Sequence, residues 1–144
     1  MSNRLLEIVS NYHFEHIFSD YLVSFGDNHD GVIEFIGNTG NQEELFETGY
    51  YFGDVKPKPI INISPMIGCP AKCQFCELGQ HPFVRCLSAE EMYEQVLMTL
   101  LFASRFVSIE RQHKINVAKS GEPLLNQNLV QGLEMARTLE KLDI

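Results

Sequence analysis

Cys69, Cys73 and Cys76 stand in the stretch GCPAKCQFCELG, residues 68–79, with a C-x3-C-x2-C spacing. Three thiolates within eight residues can be turned toward one metal centre by a short loop, and cysteine thiolates are the usual ligands of iron–sulfur clusters. A four-iron cluster held by three cysteines leaves one iron without a protein ligand. An open coordination position separates a catalytic metal site from a closed structural one, a rule stated for zinc that carries over. The stretch therefore reads as a site built to receive a ligand on a fourth iron. His81 and Cys86 are the candidates for a fourth protein ligand. A loop histidine is more often simply solvated, and Cys86 lies just ahead of a helix start that constrains it. With either residue the three cysteines could instead form a structural zinc knot. Zinc knots usually pair two C-x2-C knuckles, and only one is present, which weighs toward iron and sulfide.

The four cysteines of the chain, three of them clustered, favour metal over a disulfide framework. The 144 residues fit one domain, and 44% apolar with 21% charged residues is the composition of a soluble globular protein. No apolar run approaches a bilayer-spanning length and the N-terminus lacks a signal-peptide pattern. A cytoplasmic location, reduced thiols and no membrane partner are expected. The formal charge of −8 weighs mildly against a long nucleic-acid track, which needs a basic stripe, and leaves that class of partner open.

The elements that must position the thiols follow from hydrophobic patterning. Ser2 to Phe18 reads as a helix with Leu5, Ile8 and Tyr12 on one stripe; His13 and His16 would share a face of it, more often packed or solvated than metal-binding. Tyr21–Phe25 and Val32–Ile36 read as a β-hairpin across the turn-prone GDNHDG. Glu34, in its second strand, could reach an active site, but such a residue is more often a solvent-facing carboxylate. Residues 37–54 are glycine-rich, with a short helical piece at Gln42–Phe46 and an aromatic cluster at Tyr50, Tyr51 and Phe52 that is expected to pack. Ile60–Ile63 reads as a parallel strand buried on both faces. Ser88 and Glu91 form a capping box, with Leu87 stapling onto Met92, for a helix running to about Phe106 with Met92, Val96, Leu100 and Phe106 inward. Lys114–Lys119 reads as a second parallel strand with Ile115 and Val117 on one face. A third helix carries Leu129, Leu133, Ala136 and Leu139 behind a cap at Asn126 or Asn128.

The cysteine loop resembles that of the radical S-adenosylmethionine (radical-SAM) enzymes, which follows the first strand of a βα barrel. The run Ser120-Gly121-Glu122-Pro123-Leu124-Leu125-Asn126 resembles the GEPLLN run after that barrel's second strand. The wording is most similar to the ribosomal-RNA adenine methyltransferase branch. The fold so implied is α/β: the N-terminal portion of a partial (β/α)6 radical-SAM barrel, residues 56–144, behind a helix and β-hairpin extension, residues 1–55. The resemblance implies a [4Fe-4S] cluster on Cys69, Cys73 and Cys76. It also implies S-adenosylmethionine chelating the fourth iron, and cleavage of that cofactor to a 5′-deoxyadenosyl radical. Glu122 would accept from the methionyl ammonium, Gly121 would let the backbone approach where a Cβ obstructs, and Phe75 would lie beside the adenine. A reductant protein such as a flavodoxin or ferredoxin is implied as electron donor. The substrate is left open.

Two departures temper the resemblance. Members of the methyltransferase branch carry a reactive cysteine seven residues before the first cluster cysteine, where this chain has Asn62. Their methyl-carrying cysteine lies in a later part of the barrel. Only two of six βα units are recognised, so either a longer polypeptide or a second chain is expected to complete the barrel. The chain alone is expected to be a poor enzyme.

Overall fold

The computed structural model of the chain describes residues 7–8, 10–15, 17–25, 30–53, 58–109, 112–139 and 142–143. Strands β1 (Ile17–Phe25), β2 (Gly31–Asn38) and β3 (Leu45–Phe52) form an antiparallel meander. Strand β3 then pairs antiparallel with β4 (Ile60–Ile63), which pairs in parallel with β7 (His113–Val117). A third parallel strand, β8 (Leu142–Asp143), follows on β7, giving one six-stranded sheet in the order β1-β2-β3-β4-β7-β8. Beyond β4, the two-residue strands β5 (Met66–Ile67) and β6 (Arg85–Cys86) make a separate antiparallel pair that brackets the cysteine loop.

Helix α1 (Ala89–Ala103) covers one face of the sheet against β3 and β4, and α2 (Leu129–Arg137) packs on α1. The alternation of β3 explains its place. Phe46, Thr48, Tyr50 and Phe52 all point to the helix-covered side and are buried there with Ile33, Phe35, Ile61 and Ile63. From the helix come Met92, Val96, Leu97 and Leu100, each at most 3% exposed. Buried polar groups on this side find partners: Thr48 donates to the Asn62 carbonyl at 2.6 Å and meets Thr99 at 3.1 Å. The Tyr50 hydroxyl meets His113 Nε2 at 3.0 Å.

Several expectations are corrected. The initial helix ends early: Glu7–Ile8 and Ser10–Asn11 are helical, residues 12–15 are irregular, and β1 already begins at Ile17. His13 therefore lies past the helical residues, and His16 and the start of the segment fall outside the described residues. The helical piece at Gln42–Phe46 is instead a turn leading into β3, so the hairpin is a three-stranded meander. Asn41 Oδ1 accepts from the Glu43 amide and ties that turn. Helix α1 stops at Ala103, where the Ser104 hydroxyl donates back to Leu101, and Phe106 is 41% exposed rather than inward. The capping box at Ser88 and Glu91 is present in both of its bonds. Leu139 is buried but lies beyond α2. Among the described residues no helix is long and apolar enough to cross a membrane.

Candidate metal and cofactor site

Parallel strands β4 and β7 pair in register from Ile60↔Lys114 to Ile63↔Val117, so their C-terminal ends lie together. The cysteine loop leaves the first of these ends and the Gly121-Glu122 turn leaves the second. The loop's own ends are pinned. Val84 donates to the Ile67 carbonyl at 2.9 Å, and Leu87 donates to that of Pro65 at 2.9 Å. Gly68 sits at φ +71°, and a Cβ there would lie 2.1 Å from the Pro82 carbonyl oxygen, so only glycine allows the two ends to close. Within the loop Lys72 takes φ 48°, Cys76 donates to the Cys73 carbonyl at 3.1 Å, and a 3-10 turn follows at Glu77–Gln80.

All four cysteines are free thiols; Cys73 is exposed, and Cys69 and Cys76 are half-buried. In kind and number the three loop thiols fit three irons of a cluster. Their sulfurs are not drawn together in advance: among the described residues no group of three His, Cys, Asp or Glu side chains converges on a metal position. Cys86 is held in β6, its thiol 3.7 Å from the Leu125 carbonyl, and His81 is exposed at the end of the 3-10 turn. The Phe75 ring is 93% exposed.

The acceptor turn is packed onto the base of the loop. Met66 donates to the Ser120 carbonyl at 3.3 Å. Gly121 sits at φ +116° with a virtual Cβ 2.7 Å from that of Met66, so the group requiring glycine here is a methionine side chain of the chain itself. Glu122 precedes the 3-10 turn Pro123–Leu125 and accepts from the Leu124 amide at 3.2 Å. Asn126, buried, donates to the Pro65 and Leu87 carbonyls at 2.7 and 3.0 Å and accepts from the Asn128 amide. It therefore stitches turn to loop base, while Asn128 holds the N-terminal position of α2 without a side-chain cap bond.

Side chains that the sequence reading passed over carry much of this frame. Gln95 on α1 accepts from the Ser64 amide and donates to its carbonyl, each at 2.8 Å, where the chain leaves β4. The Ser64 hydroxyl donates to the Glu47 carbonyl at 2.6 Å and accepts from the Ser120 amide at 3.0 Å. Arg85 forks between Glu44 and Glu91 with nitrogen–oxygen distances of 2.7 to 3.0 Å. The Arg85 guanidinium, with the Thr39 hydroxyl, holds the Glu44 carboxyl below the usual range. Glu34 is no simple solvent-facing carboxylate. One of its oxygens accepts from Lys119 Nζ and from the Tyr51 hydroxyl, each at 2.8 Å, and the two bonds hold its pKa down. Burial is the strongest influence on Lys119 and works against its charge, but Glu34 and Tyr51, by hydrogen bond and charge together, outweigh it and raise that pKa. On the face away from α1, Glu34, Gly49, Asn62 and Asn116 stand in one row across four strands.

No protein-family model matches the chain. It is 34% identical over 114 residues to a "probable dual-specificity RNA methyltransferase RlmN" of Thermosipho melanesiensis, covering 75% of this chain and 28% of the relative. To the dual-specificity RNA methyltransferase RlmN of Buchnera aphidicola it is 32% identical over 128 residues, covering 85% and 33%. The chain thus spans about a quarter to a third of the length of these curated relatives. Among solved structures, a radical SAM methyltransferase from Sphaerobacter thermophilus superposes with a TM-score of 0.71 over 98% of this chain and 40% of that one. At 19% identity, this last likeness is one of fold.

Proposed function

The chain is similar in sequence to part of the RlmN RNA methyltransferases and has the fold of the N-terminal part of a radical-SAM enzyme, and from that premise we propose that it binds a [4Fe-4S] cluster and S-adenosylmethionine for reductive cleavage of that cofactor. The observation that carries the reading is the shared edge: the loop with Cys69, Cys73 and Cys76 and the turn with Gly121 and Glu122 leave the C-terminal ends of adjacent parallel strands. Open α/β sheets take their ligands at that edge.

When bound, the cluster would supply an electron and an open iron; the chain's own residues would hold it and orient the cofactor. The three thiolates hold the irons. The Glu122 carboxylate, oriented by its bond from the Leu124 amide, accepts from the methionyl ammonium, and the exposed Phe75 ring offers an apolar face beside the adenine. Exposed Cys73 marks the side from which an external one-electron donor of the flavodoxin or ferredoxin class would approach. Because the chain spans about a quarter to a third of its curated relatives, we propose that strands of a longer polypeptide or a second chain continue the sheet from β8.

Methyl transfer to RNA is the second reading, favoured by the names of the relatives. Asn62 weighs against the thiol-dependent route, because a carboxamide cannot form and release the covalent adduct that a cysteine at that position would.

The test is metal content. Anaerobically reconstituted protein should be brown and hold about four irons and four sulfides per chain. Cys69→Ala, Cys73→Ala and Cys76→Ala should each abolish this, and Cys86→Ala should not. Stoichiometric zinc, or a full complement of iron in Cys73→Ala, would overturn the proposal.

A further inference from the structure

Three connections run from the meander β1–β3 into the site, each with one end outside the βα units that carry the site. The first joins the β2–β3 turn to the exit of the cysteine loop. Arg85, in β6, places Nε and Nη2 on Glu44 Oε2 at 3.0 and 2.8 Å, and Nη1 and Nη2 on Glu91 at 2.8 and 2.7 Å. Glu44 is itself steadied by the Thr39 hydroxyl at 2.7 Å, and Glu91 by the Ser88 amide at 2.7 Å. Both carboxylates are largely covered, 18% and 14% exposed. A guanidinium shared by two such groups is fixed in direction as well as position.

The second connection joins β2 to the acceptor turn. Lys119 Nζ reaches Glu34 at 2.8 Å across 85 residues of sequence, and its stem passes over Gly49 of β3. Lys119 is the residue before Ser120-Gly121-Glu122. The third is the Ser64 hydroxyl, which bonds the Glu47 carbonyl of β3 and receives the Ser120 amide.

We propose that the β1–β3 meander is the positioning element of this site. Glu44, through Arg85, holds the exit of the cysteine loop, and Glu34, through Lys119, holds the turn bearing Glu122. The spacing between the thiol triad and the acceptor carboxylate is thereby set from outside the barrel. The purpose of that spacing rests on the cluster and cofactor reading above; the tethers themselves do not. Arg85, Glu44, Lys119 and Glu34 are positioning residues, since none is placed on the metal or the cofactor.

Amide hydrogen exchange, read by NMR on the metal-free 144-residue chain, separates positioning from plain stability. Arg85→Met and the isosteric Glu44→Gln should each speed exchange at Cys76, Gly79 and Val84 by tenfold or more, leaving Val96 and Leu97 of α1 unchanged. Arg85→Lys should recover part of the loss. Glu34→Gln and Lys119→Met should instead speed exchange at Ser120, with the loop amides unaffected. In reconstituted protein, Lys119→Met should keep its iron yet bind S-adenosylmethionine several-fold more weakly. Uniform acceleration that includes α1 would reduce these residues to stabilisers and overturn the proposal, as would unchanged loop and turn amides in both sets of variants. The exchange result decides the tethers whether or not the chain takes up iron, so the two readings fail separately.

Discussion

Glu122 already accepts one hydrogen bond, from the Leu124 amide two residues on, and that local bond orients the carboxylate before any ligand arrives. A charge-assisted bond to a cofactor ammonium is worth roughly 1.5–3 kcal/mol, so Glu122→Ala should weaken S-adenosylmethionine binding about ten- to hundredfold. Iron content should be unchanged, because the thiols are untouched. Glu122→Gln keeps an acceptor for Leu124 but loses the charge, and it should fall between the two. Equilibrium dialysis of the reconstituted protein measures this; equal affinity in all three proteins would remove Glu122 from the cofactor site. At this scale the sequence is most legible where chemistry is local. The thiol spacing and the acceptor turn are contiguous runs. Glu34 and Lys119 are 85 residues apart, and Arg85 and Glu44 are 41 apart, so no window on the sequence joins them. Each reads alone as an ordinary surface charge.

The elements differ in how plainly their residues announce them. Helix α1 is marked at its start, and Ser88 accepts from the Glu91 amide while Glu91 accepts from the Ser88 amide. Ser88→Ala should cost about 1 kcal/mol, lowering the melting temperature by roughly 3 °C for a domain of this size. Calorimetry of the metal-free chain tests it, and no measurable shift would mean the cap is redundant with tertiary packing. Strand β3 is concealed for a physical reason. Phe46, Thr48, Tyr50 and Phe52 alternate cleanly, but Gly49 and the adjacent Tyr51 interrupt the polar phase, and the preceding Asn-Gln-Glu-Glu run resembles a helix start. Its role is also tertiary: β3 covers the flank of β4, so the first barrel strand is enclosed on both sides by sheet partners. The initial helix fails the opposite way. Its apolar spacing continues past Asn11, but Tyr12 and Phe14 turn to pack edge-to-face at 5.0 Å, and Tyr12 packs the same way on Tyr93 at 5.8 Å.

At the scale of the molecule, the sheet is enclosed on one flank by the meander and extended on the other by β8, which pairs with β7 over two residues. Phe75 is 93% exposed, Leu124 88%, Val130 66% and Leu125 57%, all of them in or just beyond the loop and turn of the site. Burying side chains of this size is worth about 1.5–3 kcal/mol each, and among the described residues β8 has no partner beyond β7, an edge that invites further pairing. Radical chemistry also requires that water be excluded and the reacting groups held together. Fusing the chain to the portion of the T. melanesiensis relative that lies beyond the alignment should therefore cover these side chains and continue the sheet. The expected result is a fall in binding of an apolar dye, a higher melting temperature, and at least tenfold tighter binding of S-adenosylmethionine than by the 144-residue chain. The unfused chain should give at most slow cofactor cleavage under a strong reductant. Equal affinity in the two proteins, or multiple turnovers on a defined substrate by the 144-residue chain alone, would show that the site needs nothing beyond the elements described.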